Sequence, residues 1–300
     1  MKPNMNGKKV LLIINPTAGK MTSKIGMFNI VDLFCKHGYI VTVQTTGFKG
    51  HATRIVLEQG KHNDFIVCCG GDGTLNEVIS GVLKLGLPRP IGYIPAGTTN
   101  DFANTLKLSK RIETAARAIL NGKPRILDIG NFNQSRYFSY IASFGAFTGS
   151  SYTTPQATKN SIGPIAYILE GIKDVPNIHP YHVRVEANGV LYEDDYIFGA
   201  VSNSTSIGGM VKLDSSLVDL NDGLFEIILI KNPKSAIELR KILISLNKKK
   251  YDKDMIVFLK ANEATFYMDE PAPWSIDGEY EAGGREIRIL NIPNAITLLI

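Results

Sequence analysis

Several features that mark other protein classes are scarce or missing in this 300-residue sequence. No apolar run approaches the roughly 18 residues that a helix needs to cross a bilayer, and the N-terminus lacks the apolar core of a signal peptide. We therefore expect a protein that is made and kept in the cytoplasm. Only three cysteines occur, without metal-ligand spacing: Cys68 and Cys69 lie in a predicted buried strand and Cys35 on a predicted helix. We interpret all three as packing residues.

The charge of the chain is modest. A net charge of +5 could favour anionic lipid surfaces or nucleic acid. No compact basic stretch is interleaved with aromatic residues, so we expect no nucleic-acid partner. The run Lys248–Lys250 follows an amphipathic helix predicted at 235–246. We interpret this run as a solvated helix end, with contact to an anionic membrane as the alternative.

The first part of the chain alternates predicted strands and helices up to residue 125. Strands are predicted at 9–15, 39–45, 65–69 and 91–94, and helices at 25–37, at 51–60, from 74 onward and at 111–120. This alternation predicts an α/β domain with a doubly wound parallel sheet. Ligands of such sheets bind at the carboxyl ends of the strands, where the glycine-rich and polar motifs of this half occur.

The second part of the chain is rich in predicted strands. They lie at 126–132, 137–143, 182–187, 196–201, 225–230, 264–268 and 286–290, with helices only at 163–171 and 235–246. Many strands with short connections predict a mostly antiparallel β-sandwich. Because no low-complexity linker separates the halves, we expect two domains, 1–125 and 126–300, that pack closely around a cleft.

The most informative segment is Gly70–Glu77, which reads Gly-Gly-Asp-Gly-Thr-Leu-Asn-Glu and follows a buried strand. Three glycines between a strand and a helix allow the backbone amides to approach phosphates at the helix N-terminus. Thr74 and Glu77 have the spacing of a capping box, which predicts the helix start. The alternative is a glycine-rich turn that is well capped and binds no ligand.

Another motif, Asn15–Lys20, follows the first strand. It is not a P-loop, because the Gly, four-residue, Gly-Lys-Ser/Thr spacing is absent. Gly19 frees the backbone, and Lys20 offers a charge that can face a phosphate. As an alternative, the Asn-Pro pair only ends the strand with a turn.

The segment 95–102 ends the fourth strand. Its Gly97 allows close approach, and Thr98 offers a hydroxyl. Either Asn100 or Asp101 can cap the short helix that follows.

These three segments and two later turns, 219–224 and 275–279, resemble in order the motifs of the diacylglycerol kinase catalytic-domain family. That family includes bacterial diacylglycerol kinases, sphingosine kinases and ceramide kinase; NAD kinases and phosphofructokinases carry a shorter version of the glycine loop. The resemblance spans nearly the whole chain. It implies a nucleotide-binding domain at 1–125, with a sheet like that of NAD kinase and phosphofructokinase, and a lipid-substrate and catalytic-base domain at 126–300. It also implies ATP and Mg²⁺ as cofactors.

The resemblance places the nucleotide against the loops that follow the strands of the first domain. The residues it implies there are Asn15, Pro16, Gly19, Lys20, Thr46, Gly70, Gly71, Asp72, Gly73, Thr74, Asn76, Glu77 and Thr98. It also places Asp101 near the reacting centre, with a helix cap as the alternative. No chemistry is assigned to His51.

Asp72 has a sharper expected role. A carboxylate inside a phosphate-binding loop repels the ligand unless a metal or a donor hydroxyl intervenes. We therefore expect Asp72 to act in catalysis, either by binding Mg²⁺ or by orienting the acceptor hydroxyl. A turn or cap is the alternative.

The turn 219–224 in the second domain contains Asn-Asp-Gly, which by itself is typical of a hairpin. The resemblance implies a structural Mg²⁺ here, held by the carboxylate of Asp222 and the main-chain carbonyls of Asp219 and Leu224. Oxygen ligands suit this hard cation. The preceding segment 208–210 also fits the family, although the proline usual between the two is absent and 213–215 reads Leu-Asp-Ser.

The turn 275–279 reads Ser-Ile-Asp-Gly-Glu, and its Asp-Gly pair is also typical of a plain turn. The resemblance implies that Asp277 accepts the proton of the lipid hydroxyl as that oxygen attacks the γ-phosphate. It implies that Glu279 supports a metal or the orientation of the base. Trp274 is interpreted as a core residue, with a place beside the acceptor channel as the alternative.

The predicted function is that of an ATP-dependent lipid kinase, with diacylglycerol as the preferred acceptor and phosphatidic acid as the product. The alternatives are an NAD kinase and a non-catalytic lipid- or nucleotide-binding regulator. The expected partner is a membrane lipid, reached by transient peripheral contact with the membrane from the cytoplasm. No motif reports the acceptor pocket, so monoacylglycerol, phosphatidylglycerol and undecaprenol-like alcohols stay open, as does a homodimer.

Overall fold

The computed structural model describes residues 7–19, 23–98, 100–146, 179–207, 211–214 and 216–300. The chain forms two compact units, Met1–Asp128 with Pro293–Ile300, and Ile129–Ile292. The sequence placed a single boundary at residue 125 and did not predict that the C-terminus belongs to the first unit. The buried carboxylate of Asp128 accepts a hydrogen bond from the Asn294 amide at 2.8 Å, which fixes this return.

The first unit contains a parallel sheet. Its strands are β1 (Lys9–Ile14), β2 (Ile40–Thr45), β3 (Phe65–Gly70) and β4 (Ile91–Pro95), in the order β2-β1-β3-β4. The end of the last strand of the chain, β17 (Glu286–Leu299), pairs in parallel with β4. The strand order reverses between β1 and β3, and such a switch point is where open α/β sheets bind ligands.

Helices cover this sheet on both faces, which confirms the doubly wound prediction. They are α1 (Ser23–Lys36), α2 (His51–Gln59), α3 (Asp72–Leu85), α4 (Asp101–Thr105) and α5 (Ile112–Asn121). Alternate β1 residues, among them Val10 and Leu12, pack in one cluster with side chains of α1 and α5. Leu11 and Ile13 point to the opposite face and are also buried, and α2 packs against α3 and contacts β1. Burial on both faces explains why β1, β3 and β4 read as continuous apolar runs, whereas the edge strand β2 alternates and is partly exposed.

The second unit is antiparallel, as predicted. Its main strands are β5 (Pro124–Phe132), which begins in the first unit, β6 (Arg136–Phe138), β7 (Ile141–Gly145), β8 (Tyr181–Ala187), β9 (Val190–Ser202), β12 (Phe225–Lys231), β13 (Ile256–Ala261), β14 (Glu263–Met268), β15 (Trp274–Ile276) and β16 (Glu279–Glu281). Two short strands, β10 (Ser206–Ile207) and β11 (Val211–Lys212), pair with each other. The strand order is β16-β15-β7-β9-β8-β14-β17, and β12 lies between β9 and β13.

An aromatic core fills the second unit. Trp274 is 1% exposed, and its ring centroid lies 5.2 Å from Phe132, 5.0 Å from Phe144 and 5.3 Å from Phe266. The interpretation of Trp274 as a core residue is therefore confirmed.

Other sequence predictions fare unequally. The helix predicted at 235–246 is α6 (Ala236–Lys248), and the Glu238 amide donates to its cap Ser235. The helix predicted at 163–171 lies outside the described residues.

Cys68 and Cys69 are buried as expected, but Cys35 is exposed, so its interpretation as a packing residue was wrong. No helix within the described parts of the chain is long and apolar enough to cross a membrane.

Candidate active site

Three of the predicted nucleotide loops meet at one edge of the parallel sheet. Ile14 pairs with Cys69 and Gly70 pairs with Pro95, so β1, β3 and β4 end side by side. The side chain of Asn15 crosses between two of these loops, because its Nδ2 donates to Thr74 Oγ1 at 3.0 Å. Tertiary structure thus brings the Asn15 turn and the glycine loop together.

Glycines let the loops touch through their backbones. A Cβ at Gly19, where φ is +70°, would lie 2.1 Å from the Ala96 carbonyl oxygen. A Cβ at Gly97 would lie 2.6 Å from the Cα of Gly71. No side chain fits at either distance, so these glycines are required for loop-to-loop packing independently of any ligand.

Asp72 caps a neighbouring helix. Its carboxylate accepts hydrogen bonds from the amides of Asp101 at 2.9 Å and Phe102 at 3.3 Å, which open α4. These contacts match the cap role that the sequence left as the alternative. Burial and the nearby Asp72 carboxylate raise the pKa of Tyr93. Burial also raises the pKa of Asp101, against the opposing effect of Lys110.

The predicted cap of α4 was wrong. Asn100 precedes the helix in the left-handed region and makes no side-chain cap bond, and Asp101 is already the first helical residue. The Asn100 side chain instead binds Gly97, whose amide donates to Oδ1 at 3.0 Å and whose carbonyl accepts from Nδ2 at 2.7 Å. The first amides of α4 are instead bound by Asp72 at the start of α3. No local sequence pattern reveals this contact.

The capping box predicted at Thr74 and Glu77 was also wrong. Helix α3 starts two residues earlier, at Asp72, with Gly71 as its cap. The Glu77 carboxylate leaves its own helix and accepts from the amides of Gly50 at 2.7 Å and Ala52 at 3.0 Å. Glu77 therefore caps α2 and fixes the loop that joins β2 to α2.

The remaining predicted nucleotide residues occupy the same edge or lie outside the described residues. The amide of Thr46 donates to the Ile14 carbonyl at 2.9 Å, directly after β2. Pro16 and Thr98 are exposed in the loops after β1 and β4, and Gly73 and Asn76 belong to the start of α3. Lys20 lies outside the described residues.

In the second unit, Asp277 and Gly278 form a two-residue hairpin turn between β15 and β16, with φ of +49° and +82°. Positive φ at both central residues is the geometry of a type I′ turn. The plain turn that the Asp-Gly pair predicts is therefore present.

The Asp277 carboxylate is buried and accepts four hydrogen bonds. Oδ2 receives the Ser139 amide and hydroxyl, both at 2.7 Å, and Oδ1 receives the amides of Tyr140 and Ile141, both at 3.0 Å. Burial raises the pKa of Asp277, while these hydrogen bonds oppose the shift. The predicted single strand at 137–143 is wrong for this reason: its amides at 139–141 turn to Asp277, and the strand splits into β6 and β7.

Glu279 is more accessible than Asp277. Its side chain is 38% exposed and pairs with the Arg136 guanidinium at 2.8 Å, while Asp277 is 6% exposed. Arg136 also pairs with Glu281. Sequence reasoning missed Arg136, because no motif connects β6 with a turn more than a hundred residues later.

The turn 219–224 is not a hairpin turn, so that alternative was wrong. The strand that follows it, β12, pairs with β9 and β13, and neither of these borders the turn. Within the turn, Asp219 Oδ1 accepts from the Asn221 amide at 3.2 Å, and Asp222 Oδ1 accepts from the Leu224 amide at 3.0 Å. Gly223 has a φ of +75°. The neighbouring 208–210 and 215 lie outside the described residues.

A cation already contacts this turn. The Lys260 ammonium lies 3.0 Å from Asp222 Oδ2 and 3.3 Å from Oε1 of the fully buried Glu226. Burial raises the pKa of Glu226 to about 7, although Lys260 opposes the shift. Burial would lower the pKa of Lys260, but the contacts with both carboxylates outweigh it and raise that pKa.

The donor set at this turn fits Mg²⁺ with few protein ligands. Across the described residues, no three His, Cys, Asp or Glu side chains group in a way that would hold a metal. The fit rests instead on the chemistry of one carboxylate, Asp222, which already has a positive partner in Lys260, because Mg²⁺ accepts carboxylate and main-chain oxygen ligands and retains water.

Asn203 links this turn to the segment held by Asp277. Its Nδ2 donates to the Leu220 carbonyl at 3.4 Å, and its amide donates to the Tyr140 carbonyl at 3.1 Å. Ser202 Oγ donates to the same Tyr140 carbonyl at 3.1 Å. The turns at 219–224 and 277–278 thus share one hydrogen-bonded segment, which no sequence motif indicates.

Comparison with known proteins agrees with this arrangement. The family profile for the diacylglycerol kinase catalytic domain matches residues 9–132, and that for the YegS C-terminal NAD kinase beta sandwich-like domain matches residues 148–300. The chain is 34% identical over 277 residues to a diacylglycerol kinase of Bacillus subtilis strain 168, covering 91% of this chain and 90% of the relative. It is 32% identical over 292 residues to a diacylglycerol kinase of Staphylococcus carnosus strain TM300, covering 96% and 94%.

A solved structure is also similar. A crystal structure of a candidate diacylglycerol kinase from Bacillus anthracis strain Sterne has a TM-score of 0.81 and 26% identity, covering 97% of this chain and 96% of that chain. The matches and the strand-end loops together define an enzyme, an ATP-dependent lipid kinase. The chain belongs to the diacylglycerol kinase family. The NAD kinase alternative finds support only in the name of the C-terminal domain.

Proposed function

We propose that the protein transfers the γ-phosphate of ATP to the hydroxyl of diacylglycerol and produces phosphatidic acid. The carrying observation is the convergence of the Asn15 turn, the glycine loop and the Gly97 loop at one sheet edge, in a member of this family. The choice of diacylglycerol as acceptor is supported by the names of the relatives.

ATP phosphates would bind at the N-terminus of α3, where the cap residue Gly71 has no side chain to cover the first turn of the helix. Asn15 and Thr74 fix each other beside that point. Thr46 and Thr98 follow β2 and β4, whose carboxyl ends lie at the same edge of the sheet. Asp72 holds α4 against the glycine loop, and a Mg²⁺ bound with the nucleotide would meet the same carboxylate. Lys20 is proposed as a phosphate-facing charge from the sequence alone.

Glu279 is our preferred proton acceptor, because a base must be reachable by the substrate hydroxyl. Its carboxylate would take the proton as the lipid oxygen forms a bond to the γ-phosphorus, while the bond to the β–γ bridging oxygen breaks and ADP leaves. Arg136 would orient this carboxylate through the 2.8 Å ion pair. Asp277, whose four acceptor positions are occupied, would shape the turn that presents Glu279.

Mg²⁺ at the second-unit turn would be held by Asp222 with the carbonyls of Asp219 and Leu224. When bound, the ion would supply a structural cross-link rather than a reacting group. The Asn203 hydrogen bonds would carry that rigidity to Tyr140 and the Asp277 turn.

The outer face of α6 supports the proposed transient contact with an anionic membrane. Ile237 is 72% exposed and Ile244 is 44% exposed, and Arg240, Lys241 and Lys248 lie along the same strip of the helix. These three cations form no ion pair with any residue that the structure describes. Exposed apolar residues among cations are typical of helices that lie on anionic bilayers.

A direct assay tests the function. Purified protein would be incubated with labelled ATP and Mg²⁺ in a series of reactions. Each reaction contains one candidate acceptor: diacylglycerol, monoacylglycerol, phosphatidylglycerol, undecaprenol or NAD. Labelled phosphatidic acid, lost in Glu279→Gln, is expected. Labelled NADP without any labelled lipid would instead make the protein an NAD kinase.

A further inference from the structure

Lys260 occupies a position between two carboxylates of different character. It stands directly opposite Glu226 in the pairing of β12 with β13. Its ammonium nevertheless extends beyond Glu226 and makes its shorter contact, 3.0 Å, with Asp222 in the turn that precedes β12. Lys260 is 30% exposed in its side chain, Asp222 25% and Glu226 0%.

Glu226 is otherwise hard to explain. Its carboxylate lies 3.3 Å from the Lys260 ammonium, a longer contact than the 3.0 Å that the same ammonium makes with Asp222. A buried carboxylate with so few partners is costly. It would gain most if the ammonium moved fully onto it.

When Glu226 is ionised, which the nearby Lys260 favours, the three side chains carry two negative charges and one positive charge, so this group attracts a further cation. The Lys260 ammonium lies 3.0 Å from Asp222 Oδ2, so a divalent ion bound to this carboxylate would repel the ammonium. An alternative partner for the displaced ammonium is Glu226 on the adjacent strand, which it already contacts at 3.3 Å.

We propose that Lys260 competes with the divalent cation for the Asp222 carboxylate, and that Glu226 receives Lys260 when the cation binds. Lys260 keeps the turn folded without metal, and Glu226 lowers the cost of exchanging one cation for the other. This inference rests on the metal part of the proposed function and not on the identity of the lipid.

The two residues then affect metal affinity in opposite directions. Lys260→Gln removes the competitor, and Glu226→Gln removes the residue that draws the competitor away. The first change should tighten and the second should weaken binding of the metal, although each removes one member of the same ion pair. A merely structural ion pair would lower stability in both variants without this reversal.

The experiment is a Mn²⁺ titration of nucleotide-free full-length protein, followed by electron paramagnetic resonance of the free ion. Binding lost in Asp222→Asn defines the site. We expect Lys260→Gln to bind Mn²⁺ about three- to tenfold more tightly and Glu226→Gln to bind it about three- to tenfold more weakly. Lys260→Arg keeps the charge and should restore affinity to near the wild-type value.

A matched control for Lys260 is available in the neighbouring strand β12. Lys231 is also 30% exposed and pairs with Asp194 at 2.9 Å, at the other end of β12. Lys231→Gln should leave Mn²⁺ affinity unchanged. Melting temperatures with and without Mn²⁺ provide a second readout, and the rise on adding metal should be largest in Lys260→Gln.

The outcomes separate this inference from the proposed function. The competition is refuted if Lys260→Gln binds Mn²⁺ no more tightly than the wild-type protein does. It is also refuted if Asp222→Asn binds Mn²⁺ as tightly as the wild-type protein. If the predicted order of affinities holds but no lipid is phosphorylated, the proposed acceptor fails and the competition stands. If lipid is phosphorylated but the variants do not show the predicted order of Mn²⁺ affinities, the competition fails and the proposed function stands.

Discussion

Asp277 accepts two hydrogen bonds from Ser139, one from its amide and one from its hydroxyl, both at 2.7 Å. The two residues are 138 positions apart in the chain. This pairing holds open the gap between β6 and β7 and sets the direction of the turn that carries Glu279. Of the two acidic residues in this short motif, Asp277 is buried against main-chain amides and Glu279 is accessible.

Replacing each of these two acids should therefore have different consequences. Asp277→Asn places an amide against four donors, so we expect a loss of about 2–4 kcal/mol in the free energy of unfolding. Glu279→Gln should change that free energy by less than about 0.5 kcal/mol but lower kcat about 10²- to 10⁴-fold. Urea unfolding and steady-state kinetics measure the two effects. An Asp277→Asn protein of wild-type stability that lacks turnover would return the role of base to Asp277.

The contact between Gly97 and Gly71 makes a second prediction. Gly97→Ala places a Cβ about 2.6 Å from the Cα of Gly71, so the two loops must separate. We expect a cost of about 1–3 kcal/mol and a rise in the KM for ATP, measured by thermal unfolding and kinetics. The control is Gly284→Ala, whose Cβ would meet its nearest atom at 3.5 Å. Equal effects in both variants would refute the close-packing argument.

The cap that Glu77 supplies to α2 can be tested in the same way. Glu77→Ala removes the acceptor of two amides, so it should cost about 1–3 kcal/mol and raise the KM for ATP, because the loop after Thr46 loses its anchor. Glu58→Ala, within the capped helix α2, breaks only an exposed ion pair with Arg54 and should cost less than about 0.5 kcal/mol. Isothermal titration with ATP is the second measurement. Unchanged ATP affinity in Glu77→Ala would confine this residue to folding.

His182 should show a pH-dependent interaction. Hydrogen bonds to Asp195 and Glu193 raise its pKa above the ordinary value of 6.5, with Asp269 adding to the shift and partial burial opposing it. Because the folded-state pKa is raised, the stabilisation is complete below about pH 6.5 and is lost as the pH rises through the folded value. An NMR titration should show the imidazole titrating above 6.5. In Asp195→Asn its pKa should fall; no fall would show that Asp195 is not the main cause.

The α6 face predicts a membrane interaction that depends on charge. Lys241→Glu should weaken binding to vesicles that contain phosphatidylglycerol by about tenfold or more at low salt, since each basic residue near an anionic surface contributes about 1 kcal/mol. Ile237→Ser should weaken binding as well, including at high salt. Co-sedimentation measures both, with Lys61→Glu in the first unit as the control. Equal losses in Lys61→Glu would indicate an effect of net charge only.

The fold was largely accessible from the sequence. Apolar runs such as Val10–Ile14 mark strands that are buried on both faces, and the alternation with helices identifies a doubly wound sheet. The return of 293–300 to the first unit was not accessible, because the pairing of Leu298 with Ile91 joins residues some two hundred positions apart.

The site was accessible only as a set of motifs. Asp72, Glu77, Asp222 and Asp277 were each singled out by their turns, since glycine and carboxylate patterns are local. The partners of these carboxylates come from distant parts of the chain: the α4 amides, the α2 amides, Lys260 and Ser139, respectively.

By itself, the sequence determined where strands end and which acidic residues stand at those ends, because side-chain periodicity and glycine conformations act over a few residues. The tertiary structure decided which of those acids accept hydrogen bonds from backbone amides and which, like Glu279, stay accessible. The physical reason is that a carboxylate takes whichever donors the folded chain places within about 3 Å, and such neighbours are set by packing across the whole sheet.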